Sequence, residues 1–266
     1  MNVIVLLSCM NQIDSTIIQR SNIQTDVIVV NQCDKEDISE FVFKNNKGVI
    51  CHAKFINTKE RGLSRSRNMA IKHAWGDICL ICDDDEFLDD SYEETILSAY
   101  KKRYKENVIV FAIERRDENP PRKYPTKEKY VGLKQLLKTS SVQITFKREA
   151  ITNANLKFDV MLGSGTGNGA GEETKFLMDC RRNGIKIYYV PECLGAVLSG
   201  NSSWFKGYTP DFMKNQGWAL RRALGNCISF FYLVVYGFRH KRLYEKNMSV
   251  FEAYKNLFTG YFEKRH

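Results

Sequence analysis

Short apolar runs separated by amphipathic segments make up the first two thirds of the chain. Residues 3–8, 26–31 and 78–82 are continuously apolar, which is typical of strands buried on both faces of a parallel sheet. Between them, residues 63–74 carry apolar side chains at helical spacing, as do residues 91–105. Because strands that alternate with helices form parallel sheets, the pattern predicts an α/β domain with a largely parallel sheet. Further strands are expected at 49–55, 108–113, 142–146 and 185–191, and further helices at 14–22 and 172–183.

The tail of the chain has a different character. Residues 223–238 are largely apolar, with Arg221 and Arg222 before them and a basic cluster at 239–242 after them. Sixteen residues are too few to cross a bilayer comfortably. The segment suits either a core helix or a helix that lies in a membrane interface with its basic ends on lipid phosphates, and the sequence leaves both open.

Composition and net charge limit the class of protein and the classes of molecule that it can bind. The chain has 266 residues, of which 43% are hydrophobic, and this excludes a disordered protein. Its formal net charge of +9 suits nucleic acid, an anionic membrane or phosphorylated small molecules. Ten basic residues lie in the segment 115–148, an expected exposed excursion, and others flank the apolar tail. This placement favours a phosphate-bearing acceptor at a membrane surface and makes nucleic acid the least favoured partner.

The cysteines and the N-terminus indicate a cytoplasmic protein. The eight cysteines are scattered and lie mostly in apolar runs, as reduced, buried cysteines do. Cys79 and Cys82 are three apart in a predicted strand, so they point to opposite faces and cannot share a metal. The apolar run at 3–8 has no basic segment before it and no cleavage site after it, which predicts a first strand and not a signal peptide.

An acidic cluster follows the predicted strand at 78–82. Asp83, Asp84, Asp85 and Glu86 come at its carboxyl end, where an open α/β sheet places its ligand. Adjacent carboxylates repel one another unless a cation neutralises them. Mg²⁺ or Mn²⁺ does so with one or two carboxylates, and completes its shell with water and substrate phosphates. The cluster therefore predicts a metal–diphosphate site, with a solvated acidic turn as the alternative.

The motifs around this cluster resemble the family 2 glycosyltransferases. Gly62-Leu-Ser-Arg-Ser-Arg-Asn-Met-Ala70, Gly76-Asp77, an apolar strand and Asp83-Asp-Asp85 occur in the family's order and spacing. Gly171-Glu-Glu173 then opens a helix that is followed by a strand, as in the family. The likeness covers residues 1–200, and it is greatest to bacterial members that build capsule, exopolysaccharide or lipopolysaccharide.

The resemblance implies a fold and a division of the chain. The fold is GT-A, a Rossmann-like, mixed and mostly parallel sheet flanked by helices. Residues 1–110 would form the nucleotide-sugar half and residues 111–200 the acceptor half. Residues 201–266 would form a helical extension that closes the site or docks on the membrane.

The resemblance also implies roles for individual residues. Asp85 matches the metal ligand of the family's D-x-D motif, and Asp83 and Asp84 match positions that contact the ribose or the metal. Arg67, with Asn68 beside it, matches a nucleotide-contacting position. Glu173 matches the catalytic base, and the choice between it and Glu172 stays open because the family carries Asp at that position.

Two strand ends depart from the family pattern. The first strand ends in Ser8-Cys-Met-Asn11, where only Asn11 is kept, and Ser8 and Asn11 are the candidate nucleotide contacts there. At the end of the second strand, Asn31 stands where the family has an Asp that recognises the base. An amide both donates and accepts hydrogen bonds, so the donor nucleotide is left open.

The expected activity is inverting transfer of a sugar from a nucleotide-sugar to a saccharide acceptor, lipid-linked, in cell-surface polysaccharide synthesis. The cofactor would be Mn²⁺ or Mg²⁺, and the protein would contact the inner face of the cell membrane. Trp204 is a candidate sugar-stacking residue, with simple packing as the alternative. The competing hypotheses are a sugar nucleotidyltransferase, a phosphatase built on Asp83-Asp-Asp85, and a non-enzymatic basic protein that binds membranes or nucleic acid.

Overall fold

A computed structural model describes residues 1–116, 122–198 and 207–265. The ten strands of this part of the chain are β1 (Val3–Met10), β2 (Asp26–Gln32), β3 (Asp37–Lys44), β4 (Ile50–Thr58), β5 (Ile78–Asp83), β6 (Glu86–Leu88), β7 (Val108–Arg115), β8 (Lys129–Tyr130), β9 (Ile144–Lys147) and β10 (Ile187–Val197). The ten α-helices are α1 (Ile17–Arg20), α2 (Leu63–His73), α3 (Tyr92–Lys102), α4 (Leu133–Leu136), α5 (Arg148–Asn153), α6 (Glu172–Arg182), α7 (Pro210–Leu224), α8 (Asn226–Arg239), α9 (Lys241–Tyr244) and α10 (Val250–Phe262).

All ten strands belong to one mixed sheet. Its order is β3-β4-β2-β1-β5-β9-β7-β10-β6, and β8 pairs with β10 beside this path. The strands β4, β2, β1 and β5 form a parallel block, and β7 and β10 are also parallel. β9 runs antiparallel between these two groups. The predicted α/β architecture with a mostly parallel central sheet is confirmed.

Helices cover both faces of the sheet. On one face, α1 and α3 pack on the apolar side chains of the central strands. On the other face, α2 and α6 pack together with α7, α8 and α10, so the C-terminal helices share a core with the sheet. Cys79 and Cys82 lie in these two opposite cores, as their spacing in a strand predicts.

Several elements differ from the sequence-based expectation: the short elements β6, β8, α4 and α5 were not predicted, and the helix expected at 14–22 is limited to α1. The edge strand β3 was not predicted, because its apolar residues Ile38 and Val42 are exposed and give no buried run. The apolar segment 223–238 is not one helix, because Gly225 takes φ +83° and separates α7 from α8. Within the described residues, no helix combines the length and the apolar character needed to cross a membrane.

Candidate active site

A cavity of about 780 Å³ opens at the carboxyl ends of the central strands β1, β2 and β5. The strand ends contribute Ser8, Gln32 and the acidic cluster 83–85. Its other walls are the segment 61–63 before α2, Thr139 and Ser140, residues 164–165 and 170 of the glycine-rich segment, and the first residues of α6. The acidic cluster at 83–85 therefore lines a cavity at the carboxyl ends of the strands, as the sequence predicts, and α/β folds bind ligands at this end of the sheet.

A buried arginine holds three carboxylates beside this cavity. Arg67 extends from α2 with no exposed surface, and its Nη2 donates to both carboxylate oxygens of Asp83 at 2.9 and 3.1 Å. Its Nη1 lies 3.1 Å from Oε1 of Glu173 and 3.5 Å from Oε1 of Glu172. Burial disfavours the charged guanidinium, but these carboxylates outweigh burial and raise the pKa of Arg67. The guanidinium thus joins β5 to the start of α6.

Asp83 is fixed by further partners that sequence reasoning did not identify. Its Oδ2 accepts a hydrogen bond from the Ser141 hydroxyl at 2.8 Å, and its backbone N–H donates to Glu86 at 2.8 Å. Burial, and then the charge of Asp83, raises the pKa of Glu86 well above its ordinary value. Glu86 was visible as the fourth acidic residue of the cluster. The role of Ser141 had no local signal, because it comes from a segment 58 residues away.

Asp84 and Asp85 face the cavity and form no salt bridge with a described residue, although the charges of Arg20 and Arg115 act on them from a greater distance. Burial raises the pKa of Asp85 to about 6, with the charges of Asp83 and Asp84 adding to the effect, and burial also raises the pKa of Asp84. Such carboxylates gain from a nearby cation, and the donor set fits Mg²⁺ or Mn²⁺, which needs only one or two carboxylates beside a diphosphate. No group of three acidic, His or Cys side chains arranged for a metal occurs in the described ranges.

The two glutamates at the start of α6 are placed differently. Glu172 is buried, and its carboxylate accepts the backbone N–H of Gly171 at 2.9 Å. Glu173 is about 17% exposed, and its Oε2 takes no hydrogen bond from any other described residue. Burial and then the charge of Glu172 raise the pKa of Glu173 to about 7. Glu173 therefore has the free oxygen and the pKa of a general base near neutral pH.

A second cavity of about 490 Å³ lies on the other side of Glu173. Thr139, Ala170 and Glu173 line both cavities, whereas Glu172 lines only the larger one. The remaining walls come from the segment 133–138, from α7 and from α8. The carboxylate of Glu173 thus stands between two spaces that two substrates can occupy.

The glycine-rich segment 163–171 shapes the wall next to α6. Gly163 takes φ +101°, and a Cβ there would lie 3.2 Å from the carboxylate carbon of Glu172. The Leu63 N–H donates to the Ser164 carbonyl at 3.1 Å, and the Asn215 side chain of α7 donates to the Gly167 carbonyl at 3.1 Å. The segment is therefore tied both to α2 and to the C-terminal helices.

Four predicted nucleotide contacts do not line the larger cavity: the buried Arg67 and the three asparagines Asn11, Asn31 and Asn68. The Asn31 amide is fully buried, donates to the Gln12 carbonyl and accepts the Gln12 N–H, both at 2.9 Å. The Asn68 side chain makes a reciprocal pair of 2.8 Å bonds with the backbone of Phe158. Asn11 takes φ +51° at the turn after β1, and its N–H donates to the Gln32 carbonyl. Trp204, the candidate stacking residue, lies outside the described residues.

These observations define an α/β fold with a carboxylate-rich cavity at the carboxyl ends of its strands, and the family comparison agrees with this fold. The profile of "Glycosyl transferase family 2" matches residues 5–166. That is more than half of the chain, and the protein belongs to this family of glycosyltransferases. Among curated proteins, no sequence matches it.

Solved structures show the same fold at low sequence identity. Staphylococcus aureus TarS 1–349 is 15% identical with a TM-score of 0.57, and the match covers 93% of this chain and 74% of that one. Its complex with UDP-GlcNAc is 17% identical at a TM-score of 0.57, with coverage of 97% and 79%. The mannosyltransferase PcManGT from Pyrobaculum calidifontis, in complex with GDP-Man and Mn²⁺, is 16% identical at a TM-score of 0.51, with coverage of 97% and 73%. The expected GT-A fold is thereby confirmed.

Proposed function

We propose that the protein is a divalent-metal-dependent, inverting glycosyltransferase that binds a nucleotide-sugar in the larger cavity and a saccharide acceptor in the second. One observation carries this proposal: among the described residues, Glu173 is the only one with a carboxylate that lines both cavities. An inverting transfer needs a base between the acceptor hydroxyl and the anomeric carbon, on the face opposite the leaving group. Nucleotide-sugars and Mn²⁺ in the complexes of TarS and PcManGT support this choice of donor and metal.

The proposed reaction is a single displacement at the anomeric carbon. The acceptor oxygen forms a bond to the anomeric carbon while the bond from that carbon to the diphosphate breaks. The nucleoside diphosphate leaves with the bonding electron pair, and the hydroxyl proton moves to Oε2 of Glu173. Arg67, bonded to the other oxygen of Glu173, fixes the orientation of the carboxylate. Glu172 orders the first turn of α6 through Gly171.

The metal would be Mn²⁺ or Mg²⁺, held by Asp85 together with Asp84 or Asp83. Bound there, it would neutralise the charge that builds up on the leaving diphosphate. Ser8 and the end of β1 would lie along the nucleotide. Arg67 would act on the nucleotide side through Asp83, whose carboxylate it holds in place.

We also propose that α8 docks on an anionic membrane and that the acceptor is lipid-linked, as in cell-surface polysaccharide synthesis at the inner face of the cell membrane. Phe231 and Phe238 on α8 are 72% and 77% exposed, and Leu243 on α9 is also exposed. Such a large exposed apolar surface marks an interaction site. The segment 239–246 contains four basic residues and one acidic residue. Its net positive charge suits binding to anionic lipid.

The catalytic proposal is tested by comparing Glu173→Gln with Glu172→Gln. A panel of nucleotide-sugars, scored by thermal shift with and without Mn²⁺, first identifies the donor. With that donor and a panel of saccharide acceptors, Glu173→Gln should bind donor normally and lose transfer by a factor of about 10²–10⁴. Glu172→Gln should lose less. Wild-type turnover in Glu173→Gln would show that Glu173 is not the catalytic base.

The membrane proposal is tested by sedimentation of the whole protein with phosphatidylglycerol-containing vesicles at low salt. Replacing both Phe231 and Phe238 by Ser should abolish binding. The matched control replaces the exposed Ile38 and Val42 of β3 by Ser and should bind like the wild type. Equal vesicle binding by the two double variants would contradict membrane docking. So would self-association of the wild type, if only the Phe231 and Phe238 variant fails to self-associate.

A further inference from the structure

Three basic side chains on the walls of the second cavity form no salt bridge with any described residue. Lys134 and Lys138 lie on one of its walls and Arg239 at the end of α8 lies on another. None of these three has a carboxylate within 4 Å among the described residues, and Glu173 is the only acidic residue that lines the cavity. Like charges gathered around one space repel each other, and a bound anion would relieve that repulsion.

Some basic residues elsewhere on the surface are paired with a carboxylate. Lys102 and Arg103 both bind Glu128, and Arg222 binds Asp159 at 2.6 Å. The second cavity brings three cations, unpaired in the described part of the chain, to the walls of one concave space, and that space also adjoins the candidate base. Charged groups gathered on the walls of one cavity are typical of sites that bind a ligand of the opposite charge.

The apolar lining of the same cavity continues onto the outer surface of α8. Tyr232 and Tyr236 line the cavity, together with Leu137 and Leu220. At 100° per residue, Val235 and Phe231 lie on the face of α8 next to that of Tyr232 and Arg239, and both are exposed. An apolar group attached to a bound anion can thus run from the cavity onto the exposed face of α8.

We propose that the second cavity binds a phosphoester of the acceptor, with the phosphate against Lys134, Lys138 and Arg239 and the reacting hydroxyl at Glu173. This inference rests on the proposed function and names the chemistry of its acceptor. The acceptor is a saccharide carried on a phosphate. The lining by Tyr232 and Tyr236 provides contact for a sugar or for the first part of a lipid chain.

The test measures binding of two probes by calorimetry in EDTA, which removes the metal route into the larger cavity. The probes are inorganic pyrophosphate and geranyl diphosphate, with geraniol as the uncharged control. Lys138→Gln combined with Arg239→Gln should weaken the binding of both diphosphates at least tenfold. The matched control combines Lys72→Gln with Arg181→Gln, which removes the same charge from exposed residues outside both cavities, and should change binding less than twofold.

The two probes distinguish the sources of the phosphate. Tighter binding of geranyl diphosphate than of pyrophosphate, with no binding of geraniol, indicates a lipid phosphate, and equal binding of the two indicates a water-soluble or polymeric phosphoester. Equal weakening in both pairs of variants, or none in either, would overturn the proposal. Since Glu173→Gln and nucleotide-sugar binding report separately on the transfer reaction, this inference can fail while the proposed function stands.

Discussion

Replacing Arg67 by Met should destabilise the protein strongly and make its stability depend on pH in a defined direction. The guanidinium is fully buried and contacts three carboxylates, on Asp83, Glu172 and Glu173, which are themselves 22%, 5% and 17% exposed. Removing one partner from a buried ion pair leaves the other charge uncompensated, at a cost of about 3–5 kcal/mol. For a chain of this size, that lowers the melting temperature by roughly 6–20 °C.

The pH dependence follows from the same contacts. Burial and Glu172 already raise the pKa of Glu173 to about 7 with Arg67 in place, and without the guanidinium this pKa rises further. A carboxyl whose pKa is higher in the folded than in the unfolded state binds more protons when folded, so folding is favoured as pH falls. The deficit of Arg67→Met relative to wild type should therefore be largest near pH 8 and shrink towards pH 5.5.

Urea unfolding followed by circular dichroism at pH 8, 7 and 5.5 measures both effects. Arg67→Lys is the matched control, because it keeps a charge but loses the paired bonds to Asp83, and it should lose less stability than Arg67→Met. A loss below about 1 kcal/mol in Arg67→Met, or a loss that does not change with pH, would refute the role given to Arg67, since a buried charge left unpaired costs more.

Further predictions concern the base, the second strand and the C-terminal helices. The rate of transfer should increase with pH, with a midpoint near 7, as Glu173 deprotonates. Glu172→Gln should move that midpoint to lower pH, because the charge of Glu172 helps to raise the pKa of Glu173. A rate that stays constant from pH 5.5 to 8.5 would contradict this. Asn31→Asp should destabilise by about 1–3 kcal/mol in urea unfolding, because a buried carboxylate would face the Gln12 carbonyl in place of the amide donor, and unchanged stability would contradict it. Gly260→Ala should lower the free energy of unfolding by about 1–3 kcal/mol, because the added Cβ would lie 1.7 Å from the Lys214 carbonyl oxygen. Gly132→Ala is the control and should unfold like the wild type, because no atom lies within 4 Å of the added Cβ.

The buried strands and the acidic cluster could be predicted from sequence because their signals are local. A continuous apolar run marks β1, β2 and β5, and the cluster at 83–85 follows β5 directly. The edge strand β3 escaped prediction because it exposes Ile38 and Val42 and needs only one partner strand.

The parts of the site that could not be predicted come together only in the fold. Ser141 bonds to Asp83 from 58 residues away, and Lys138 and Arg239 line one cavity although a hundred residues separate them. The choice between Glu172 and Glu173 was open in the sequence, since both begin the same helix. It rests now on which cavity each side chain lines and on the oxygen that Glu173 keeps free.

Titration of the donor nucleoside diphosphate into wild-type protein and Asp85→Asn, with and without Mn²⁺, tests the central claim most directly. If Asp85 holds a divalent cation against the diphosphate, Mn²⁺ should strengthen binding at least tenfold in the wild type and have no effect in Asp85→Asn. Asp77→Asn, which removes a carboxylate at the opposite end of β5, should behave like the wild type. Equal Mn²⁺ enhancement in the wild type and Asp85→Asn would contradict the proposed metal-dependent site.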